Sequence, residues 1–485
     1  MKFKCLKNPG KKTVDFVITT VPWTDSSIPL MAPASLKPVI EKAGFSCLAV
    51  DINAEVYAWT KAHPQQKLLL DFFFDEQLHD ETRYETYDMF ESMALQILSF
   101  KPKFVGLSLF SYVCQSSAKW LAWFIKKLDP ECKILIGGAG CLYTFTGRSK
   151  FTEELLKEGI IDYHIRGDGE HALYEFLKNN KDYVGINSLE WRQLPMDEMR
   201  LLPTPDYENY HFDLYEKQVL PLLGSRGCVR KCTFCDYIAN WKKFTWRTAD
   251  DIFSEMKKQY DTYGIRYFKF QDSLTNGNMI EFIKLTKLLS DYNKANPDKS
   301  FRWSGYYIFR EHNSRTEYEW QLVKDSGAEN LSVGIENLNQ HIRYSIGKKF
   351  SDKAIDVHLE YAYKHKIQLQ LLNIVGYVNE TEKDIDYIKK WLRSHTKYKD
   401  ILHLQWGGTL GIFPNTWLEK NFKSLGVEKI NSQPQGWVNR SIDSTPAKRS
   451  RWAKEITKFS KDLGYRVADD LDNHYVLEML INDKI

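Results

Sequence analysis

The stretch Gly224-Ser-Arg-Gly-Cys228-Val-Arg-Lys-Cys232-Thr-Phe-Cys235 decides how the rest of this sequence is read. It places three cysteines in the spacing C-x3-C-x2-C directly after Val219–Gly224, an apolar run with the length of a buried strand. Thiolates are soft ligands that favour zinc, copper(I) or iron–sulfur clusters. Structural zinc normally takes four protein ligands, and no fourth Cys or His follows at finger spacing, since the next His is His312. Three ligands leave one metal position open. In a four-iron cluster, whose usual complement is four thiolates, that vacancy can take a substrate-like chelator. Zinc and incidental buried thiols are the alternatives, and the second asks three cysteines to fall by chance on a glycine-flanked loop.

Outward from this loop, residues 219–415 alternate apolar runs with amphipathic ones. The spacing predicts strands at Val219–Gly224, Tyr267–Gln271, Arg302–Tyr307, Asn330–Ile335, Gln368–Val375 and Leu402–Leu410. Helices are predicted between them, near Ala249–Tyr263, Met279–Asn293, Glu317–Asp325, Asp352–His365 and Asp384–Thr396. Six β-then-α units read as a partial barrel related to the (β/α)8 design, whose chemistry sits at the strand carboxyl ends. Residues 13–180 carry a second such rhythm, with strands at Val14–Thr20, Ser46–Ile52, Phe104–Phe110, Lys133–Gly137 and Tyr163–Arg166. Their helices fall near Ala34–Ala43, Tyr87–Leu98, Cys114–Leu128, Glu153–Lys157 and Glu170–Asn179. Such a pattern is that of a parallel α/β sheet. Between the two lies Leu201-Leu-Pro-Thr-Pro-Asp206 with no sustained periodicity, read as linker. The expected division is 1–182, a linker over 183–218, 219–415, and a helical cover over 416–485 anchored by Trp437 and Trp452.

The bulk composition agrees with this and adds little. At roughly 100–200 residues per domain, 485 residues allow two to four domains. A hydrophobic share of 43% with 27% charged residues excludes disordered and low-complexity classes. The net charge of +4, from 67 basic and 63 acidic side chains, is too balanced for an electrostatic nucleic-acid binder. After its first lysines the N-terminus has no apolar run of signal-peptide type, and even Leu68–Phe74 is broken by Asp71. A reducing cytoplasm is the expected compartment, where clustered cysteines bind metals or act in catalysis more often than they form disulfides. Cys5, Cys47, Cys114, Cys132 and Cys141 are scattered and read as bystanders.

With Phe234 before the last cysteine, the loop resembles that of the radical S-adenosylmethionine (radical SAM) enzymes. The resemblance implies that Cys228, Cys232 and Cys235 hold a four-iron four-sulfur (4Fe-4S) cluster whose open iron is chelated by S-adenosylmethionine. Phe268-Lys-Phe-Gln-Asp272-Ser273-Leu resembles the family's second-strand F-x-F-x-D-D-x-F, with Ser273 replacing the second Asp. Gly334-Ile-Glu336-Asn resembles the fourth-strand G-I-E-S, and Asn373-Ile-Val-Gly376-Tyr-Val-Asn-Glu380-Thr381 the fifth-strand x-I-x-G-x-P-G-E-T, with Val378 and Asn379 in place of Pro-Gly. Gly411-Ile-Phe-Pro414-Asn415-Thr416 resembles the sixth-strand P-G-T. By the same resemblance Phe234, Asp272, Ser273, Glu336 and Gly376 are expected near S-adenosylmethionine.

A radical SAM barrel after a Rossmann-like domain resembles the cobalamin-dependent subgroup. Cobalamin-binding domains of this topology show S-x-L/F after one strand and G-G after the next; here Ser108-Leu-Phe110 precedes Gly137-Gly138, with residues 111–136 between. A hydroxyl and two side-chain-free positions at adjacent strand ends can admit a nucleotide tail. Asp162-Tyr-His164-Ile-Arg-Gly167 spells the cobalt-ligand pattern D-x-H-x-x-G, but it follows the Ser and Gly-Gly elements that it should precede, so His164 is read as a strand residue. The loop Val21–Leu30 has no His, which leaves cobalt without a protein imidazole and Trp23 as a candidate packing side chain. The fold expected is therefore α/β, an N-terminal Rossmann-like cobalamin-binding domain followed by a partial (β/α)6 radical SAM barrel and a helical C-terminal region.

The activity implied is methyl transfer to an unactivated carbon through a 5′-deoxyadenosyl radical and methylcobalamin, with an external electron donor of flavodoxin or ferredoxin type. The substrate expected is a small molecule or peptide, with no membrane or nucleic-acid partner. The alternatives are a radical SAM cyclase or rearrangement enzyme without methyl transfer, and a non-catalytic iron–sulfur or cobalamin-binding protein. Lys348-Lys349 and Lys242-Lys243 read as solvated faces, Trp241–Trp246 as a shield or lining near the cluster, and His403, Gln405 and Trp406 as substrate contacts or packing.

Overall fold

The computed structural model describes residues 2–8, 10, 12–24, 26–62, 80–141, 150–178 and 185–468; the run Leu68–Phe74 lies outside them. Contacts divide the chain into two compact units, the first comprising residues 1–222 with 245–247 and 258–267 and the second the remainder. Among the described residues no helix is long and apolar enough to cross a membrane.

In the first unit β1 (Phe16–Thr20), β2 (Cys47–Val50), β3 (Phe104–Ser108), β4 (Lys133–Gly137) and β5 (Tyr163–Ile165) form a parallel sheet in the order β2-β1-β3-β4-β5. Both faces are covered, which explains why its strands read as nearly continuous apolar runs. Val17, Val105, Ile134 and Ile136 pack on one side with residues of α3 (Asp80–Leu98) and α4 (Gln115–Leu128). Phe16, Ile18, Leu135 and Ile165 face the other side with α1 (Met31–Lys42) and α6 (Gly169–Leu177), while α2 (Ile52–Ala62) and α5 (Phe151–Lys157) complete the helical layers. The strand order reverses between β1 and β3, and sheets of this order bind ligands beyond the strand carboxyl ends at that reversal.

The stretch expected as a linker packs onto this unit. Lys37 pairs with Asp206 at 2.8 Å and Glu208 at 2.7 Å, and the Tyr210 hydroxyl donates to the Leu30 carbonyl at 2.8 Å. Residues without periodicity can still be fixed when their aromatic and charged side chains find buried partners.

The second sheet has seven strands, β6 (Val219–Leu222), β7 (Tyr267–Phe270), β8 (Arg302–Tyr307), β9 (Ala328–Glu336), β10 (Gln368–Val375), β11 (Leu402–Thr409) and β12 (Arg466–Val467), ordered β12-β11-β10-β9-β8-β7-β6. Helices α7 (Ala249–Tyr263), α8 (Met279–Ala295), α9 (Thr316–Asp325), α10 (Gln340–Ile346), α11 (Asp352–His365) and α12 (Glu382–Ser394) follow the strands as a (β/α) barrel requires. The six expected strands are present; the seventh comes from the C-terminal region, which was expected to be mostly helical. There α13 (Pro446–Asp462) returns the chain so that Arg466 and Val467 pair in parallel with His403 and Leu404. The indole of Trp452 donates to Glu382 at 2.8 Å and that of Trp437 to the Leu410 carbonyl at 2.9 Å, so both expected anchors are buried and bonded.

Candidate functional site

The cysteine loop is tied down before its first cysteine. Asp272, only 3% exposed just past β7, accepts the Gly224 amide and the Ser225 hydroxyl, each at 2.7 Å. A Cβ at Gly224 would lie 2.9 Å from that carboxylate, which is why glycine stands there. Gly227 turns with φ +81, a conformation that favours glycine. Ser273 follows Asp272 and is half-buried.

The cysteines themselves rest on α10 and on the loop after β10. The Thr233 amide donates to the Ile346 carbonyl at 3.0 Å, and the Thr233 hydroxyl bonds the Tyr377 hydroxyl at 2.6 Å. Cys232 is buried among Ile342, Ile346, Tyr377, Val378, Leu410 and Ile412, with Phe234 and Cys235 partly buried against that nest. All three cysteines are free thiols. Burial pushes each up, Cys232 to about 12, while the Lys348 ammonium pulls Cys228 and Cys232 the other way. Among the described residues no three Cys, His, Asp or Glu side chains close on one point as ligands of a single ion. Three thiols spaced along one loop, close enough to act on one another electrostatically, are a donor set that fits a 4Fe-4S cluster.

Glu336 ends β9 with φ +66, an uncommon conformation for a residue with a side chain. Its carboxylate pairs with Lys348 at 3.1 Å. The expectation that Lys348 is solvated is thereby corrected, since the turn after α10 points it inward and only Lys349 is exposed. Gly376 follows β10 with φ +79, and a side chain there would run into Arg449 of α13. Glu380 accepts the Gly376 amide, the Tyr377 amide at 3.0 Å and the Asn337 side-chain amide at 2.6 Å; full burial still pushes it up to about 7. The two departures from the motif have local explanations: Val378 fills the nest around Cys232, and Asn379 donates to the Ser345 hydroxyl at 3.2 Å.

Of the remaining residues singled out in this unit, Trp241 stacks on Tyr237 at 4.3 Å, and the Tyr237 hydroxyl accepts the Gly227 amide at 3.3 Å. Lys242 and Lys243 are exposed. Strand alternation separates the residues of β11. Gln405 accepts from Gln370 at 3.0 Å, and Gln370 from Ser332 at 2.8 Å, whereas the buried Trp406 indole donates to Ser460 of α13 at 3.0 Å. Trp406 is packing; His403 shares the face of Gln405 and is half-buried.

In the first unit the expected residues meet on one edge of the sheet. Thr20, Ser108 and Gly137 are register partners at the carboxyl ends of β1, β3 and β4. Gly138 has φ +104 and is packed against the Leu109 carbonyl, so its missing side chain is taken up by the protein's own backbone. Gly137 is uncrowded, with nothing nearer than 3.4 Å to an added Cβ. Phe110 is 61% exposed although aromatic, and Trp23 is half-buried beside Tyr57 with ring centroids 5.2 Å apart. An exposed aromatic just past β3, at the reversal, and a bare strand end on the neighbouring β4 fit a large planar cofactor.

The loop that carries Trp23 is held by residues the sequence reading did not reach. Buried Asp51 accepts from Thr20 at 2.6 Å, Tyr215 at 2.9 Å and the Leu30 amide at 3.3 Å, and burial raises its pKa. The side chain of Asn53 accepts the Thr24 amide at 3.0 Å. His164 lies inside β5, fully buried beside Ile136 with neither ring nitrogen hydrogen-bonded among the described residues, and burial pushes it down to about 4.

This architecture and this loop define a class. Residues 222–392 match the profile of the radical SAM superfamily, and that segment is a radical SAM domain. Set beside particular proteins, the chain is 21% identical over 361 residues to the cytidylyl-2-hydroxyethylphosphonate methyltransferase of Streptomyces wedmorensis, covering 64% of this chain and 62% of that one. It is 26% identical over 193 residues to the bacteriochlorophyllide d C-12(1)-methyltransferase of Chlorobaculum tepidum, and 24% identical over 170 residues to the anaerobic magnesium-protoporphyrin IX monomethyl ester cyclase of Synechocystis. The chain thus spans less than two thirds of the length of each of these relatives. Its fold is shared with the radical S-adenosylmethionine methyltransferase TsrM from Kitasatospora setae, solved with cobalamin and a 4Fe-4S cluster bound, at TM-score 0.61 and 14% identity over 90% of this chain and 81% of that one. The cobalamin-dependent radical enzyme OxsB, solved with aqua-cobalamin, matches at TM-score 0.63 and 11% identity over 92% of this chain and 66% of that one.

Proposed function

We propose that the chain is a cobalamin-dependent radical SAM enzyme, and that it is a methyltransferase acting on an unactivated carbon of a small molecule or peptide. The observation that carries this reading is the three-thiol loop, fixed by Asp272 on one side and by α10 on the other, in a chain that also has a Rossmann-like sheet with an exposed aromatic at its strand-order reversal. When bound, the cluster supplies the electron that splits S-adenosylmethionine, and cobalamin carries the methyl group.

Cys228, Cys232 and Cys235 would hold the cluster. Phe234 shields it on the apolar side, Asp272 fixes the loop, and Ser273, Glu336 and Gly376 border the S-adenosylmethionine that completes it. Ser108, Phe110, Gly137 and Trp23 would meet cobalamin, Gly138 acting through its backbone alone. His403 and Gln405 are the side chains of β11 placed to meet substrate. An electron donor of flavodoxin or ferredoxin type and a cytoplasmic setting belong to the same reading.

A second reading, ring closure without methyl transfer, is favoured by one observation, the cyclase among the relatives. The test is anaerobic reconstitution with iron, sulfide and cobalamin, followed by reduction with S-adenosylmethionine present. Wild type should release 5′-deoxyadenosine and Cys228→Ala should not; release by the variant sinks the assignment.

A further inference from the structure

Strand pairing lines up polar side chains on one face of the second sheet. Ser332 of β9, Gln370 of β10, His403 of β11 and Arg466 of β12 are successive register partners, and partners in a parallel sheet share a face. The residues between them, Leu331, Leu369, Leu371 and Leu404, are fully buried on the other face.

Hydrogen bonds give the polar face a direction. The Ser332 hydroxyl donates to the Gln370 side-chain oxygen at 2.8 Å, and the Gln370 side-chain nitrogen donates to the Gln405 oxygen at 3.0 Å. Both carboxamides are thereby fixed, and the chain ends on the Gln405 nitrogen, which makes no hydrogen bond among the described residues. The half-buried His403 ring makes none there either. Arg466 stands beyond β11, yet its guanidinium reaches the Gln368 side chain of β10 at 3.5 Å, so it crosses β11 on this same face; among the described residues no carboxylate pairs with it. Strands β8 to β12 carry two carboxylates, and both are taken, Glu329 by Arg302 and Glu336 by Lys348 at 3.1 Å. What the face offers is therefore donors: an amide, an imidazole and a guanidinium at neighbouring positions.

We infer that this face is an acid-group subsite, in which Gln405, His403 and Arg466 take a carboxylate or phosphoryl group of the substrate and Ser332 and Gln370 position them. The inference rests on the functional reading above and names the substrate class that it leaves open. Hydrogen bonds from a cation to such a group are roughly twice as strong as neutral ones, and a guanidinium can make two at once. Gln405 is level with Gly334, two residues short of the Glu336 end of β9, and His403 lies two residues lower. At ~3.3 Å per residue they stand roughly 7 and 13 Å below that end. The substrate is accordingly elongated, with its acid group held down the sheet and its reacting carbon at the strand carboxyl ends.

The experiment has two arms, both on the full chain. In the first, thermal denaturation is followed in inorganic phosphate and in chloride at matched ionic strength. Wild type should be more stable in phosphate, by mass action at the subsite. Arg466→Gln and Gln405→Glu should lose most of that gain, whereas Arg466→Lys, which keeps the charge, should retain it. Gln405→Glu still accepts from Gln370, so a merely structural role would leave the gain intact; should Arg466→Gln fail to fold, this variant decides. An equal gain in every protein overturns the subsite. In the second arm the reconstituted, cobalamin-loaded protein is reduced with S-adenosylmethionine and a host small-molecule extract split on an anion-exchange resin. The retained pool should support release of S-adenosylhomocysteine, and Arg466→Gln should need roughly tenfold more of it for half-maximal release, as loss of a charged hydrogen bond implies. Turnover supported by the unretained pool, with a phosphate gain that the variants lose, gives the site to a free anion and overturns its use by substrate. A wild type that releases no 5′-deoxyadenosine overturns the functional reading, while the phosphate arm still decides the subsite.

Discussion

Asp272 joins the end of β7 to the start of the cysteine loop through two hydrogen bonds of 2.7 Å from a buried position. Removing an acceptor from buried donors costs roughly 1–3 kcal/mol per donor left unpaired. Asp272→Ala should therefore lower the iron bound per chain after reconstitution, and Asp272→Asn, which keeps one acceptor oxygen, should lower it less; equal loading in all three proteins would contradict the role given to this carboxylate. Glu380 makes a different prediction. Its folded pKa, about 7, lies above its ordinary value of 4.5. Between those two pH values the unfolded chain releases a proton that the folded chain keeps, so this group's contribution to stability falls as pH rises. Glu380→Gln removes that slope: its stability relative to wild type should improve by on the order of 1–3 kcal/mol from pH 5 to pH 7.5 in urea unfolding. A difference that does not change with pH would refute the assignment.

Glycines at two strand ends set how the elements close. Gly376 needs φ +79 and leaves room for Arg449, whose guanidinium lies 3.5 Å from the Trp437 ring centre. Gly376→Ala should destabilise by more than about 2 kcal/mol, by strain at a positive φ and by displacing α13. Gly138 needs φ +104 against the Leu109 carbonyl. Gly138→Ala should cost the protein its bound-corrinoid absorbance while leaving that of the iron–sulfur cluster, and loss of neither would remove the first sheet edge from the proposal.

At this scale most of the strands were legible in the sequence, because strands buried on both faces are near-continuous apolar runs. Arg466–Val467 was not, since two residues carry no period, nor was Ile52–Ala62, which begins where the run of β2 ends. Lys348 was misread because adjacent lysines look solvated; its burial depends on Gly334, fourteen positions earlier, and on the cysteine loop, more than a hundred positions away. The same holds for Asp51, whose partner Tyr215 comes from a stretch without periodicity. The three cysteines were legible because their spacing is local.

The whole molecule combines a parallel five-stranded sheet of order 2-1-3-4-5 with a radical SAM domain, a pairing shared over most of the chain with TsrM and OxsB. The relatives carry the names of a cytidylyl-2-hydroxyethylphosphonate, a magnesium-protoporphyrin ester and a bacteriochlorophyllide, and two of the three are named methyltransferases. The β11 residues His403 and Gln405, beside Gln370 and Ser332, give the second sheet a polar face, the one to which the proposed function assigns the substrate. Methyl transfer through cobalamin consumes S-adenosylmethionine twice, once as methyl donor and once as radical source, and the two uses leave different products. The most direct measurement is the ratio of S-adenosylhomocysteine to 5′-deoxyadenosine formed by the anaerobically reduced, cobalamin-loaded protein turning over a substrate drawn from host extracts. A ratio near one, with a product heavier by one methylene, is the result predicted here. Release of 5′-deoxyadenosine without S-adenosylhomocysteine would contradict methyl transfer, and release of neither would contradict the radical assignment itself.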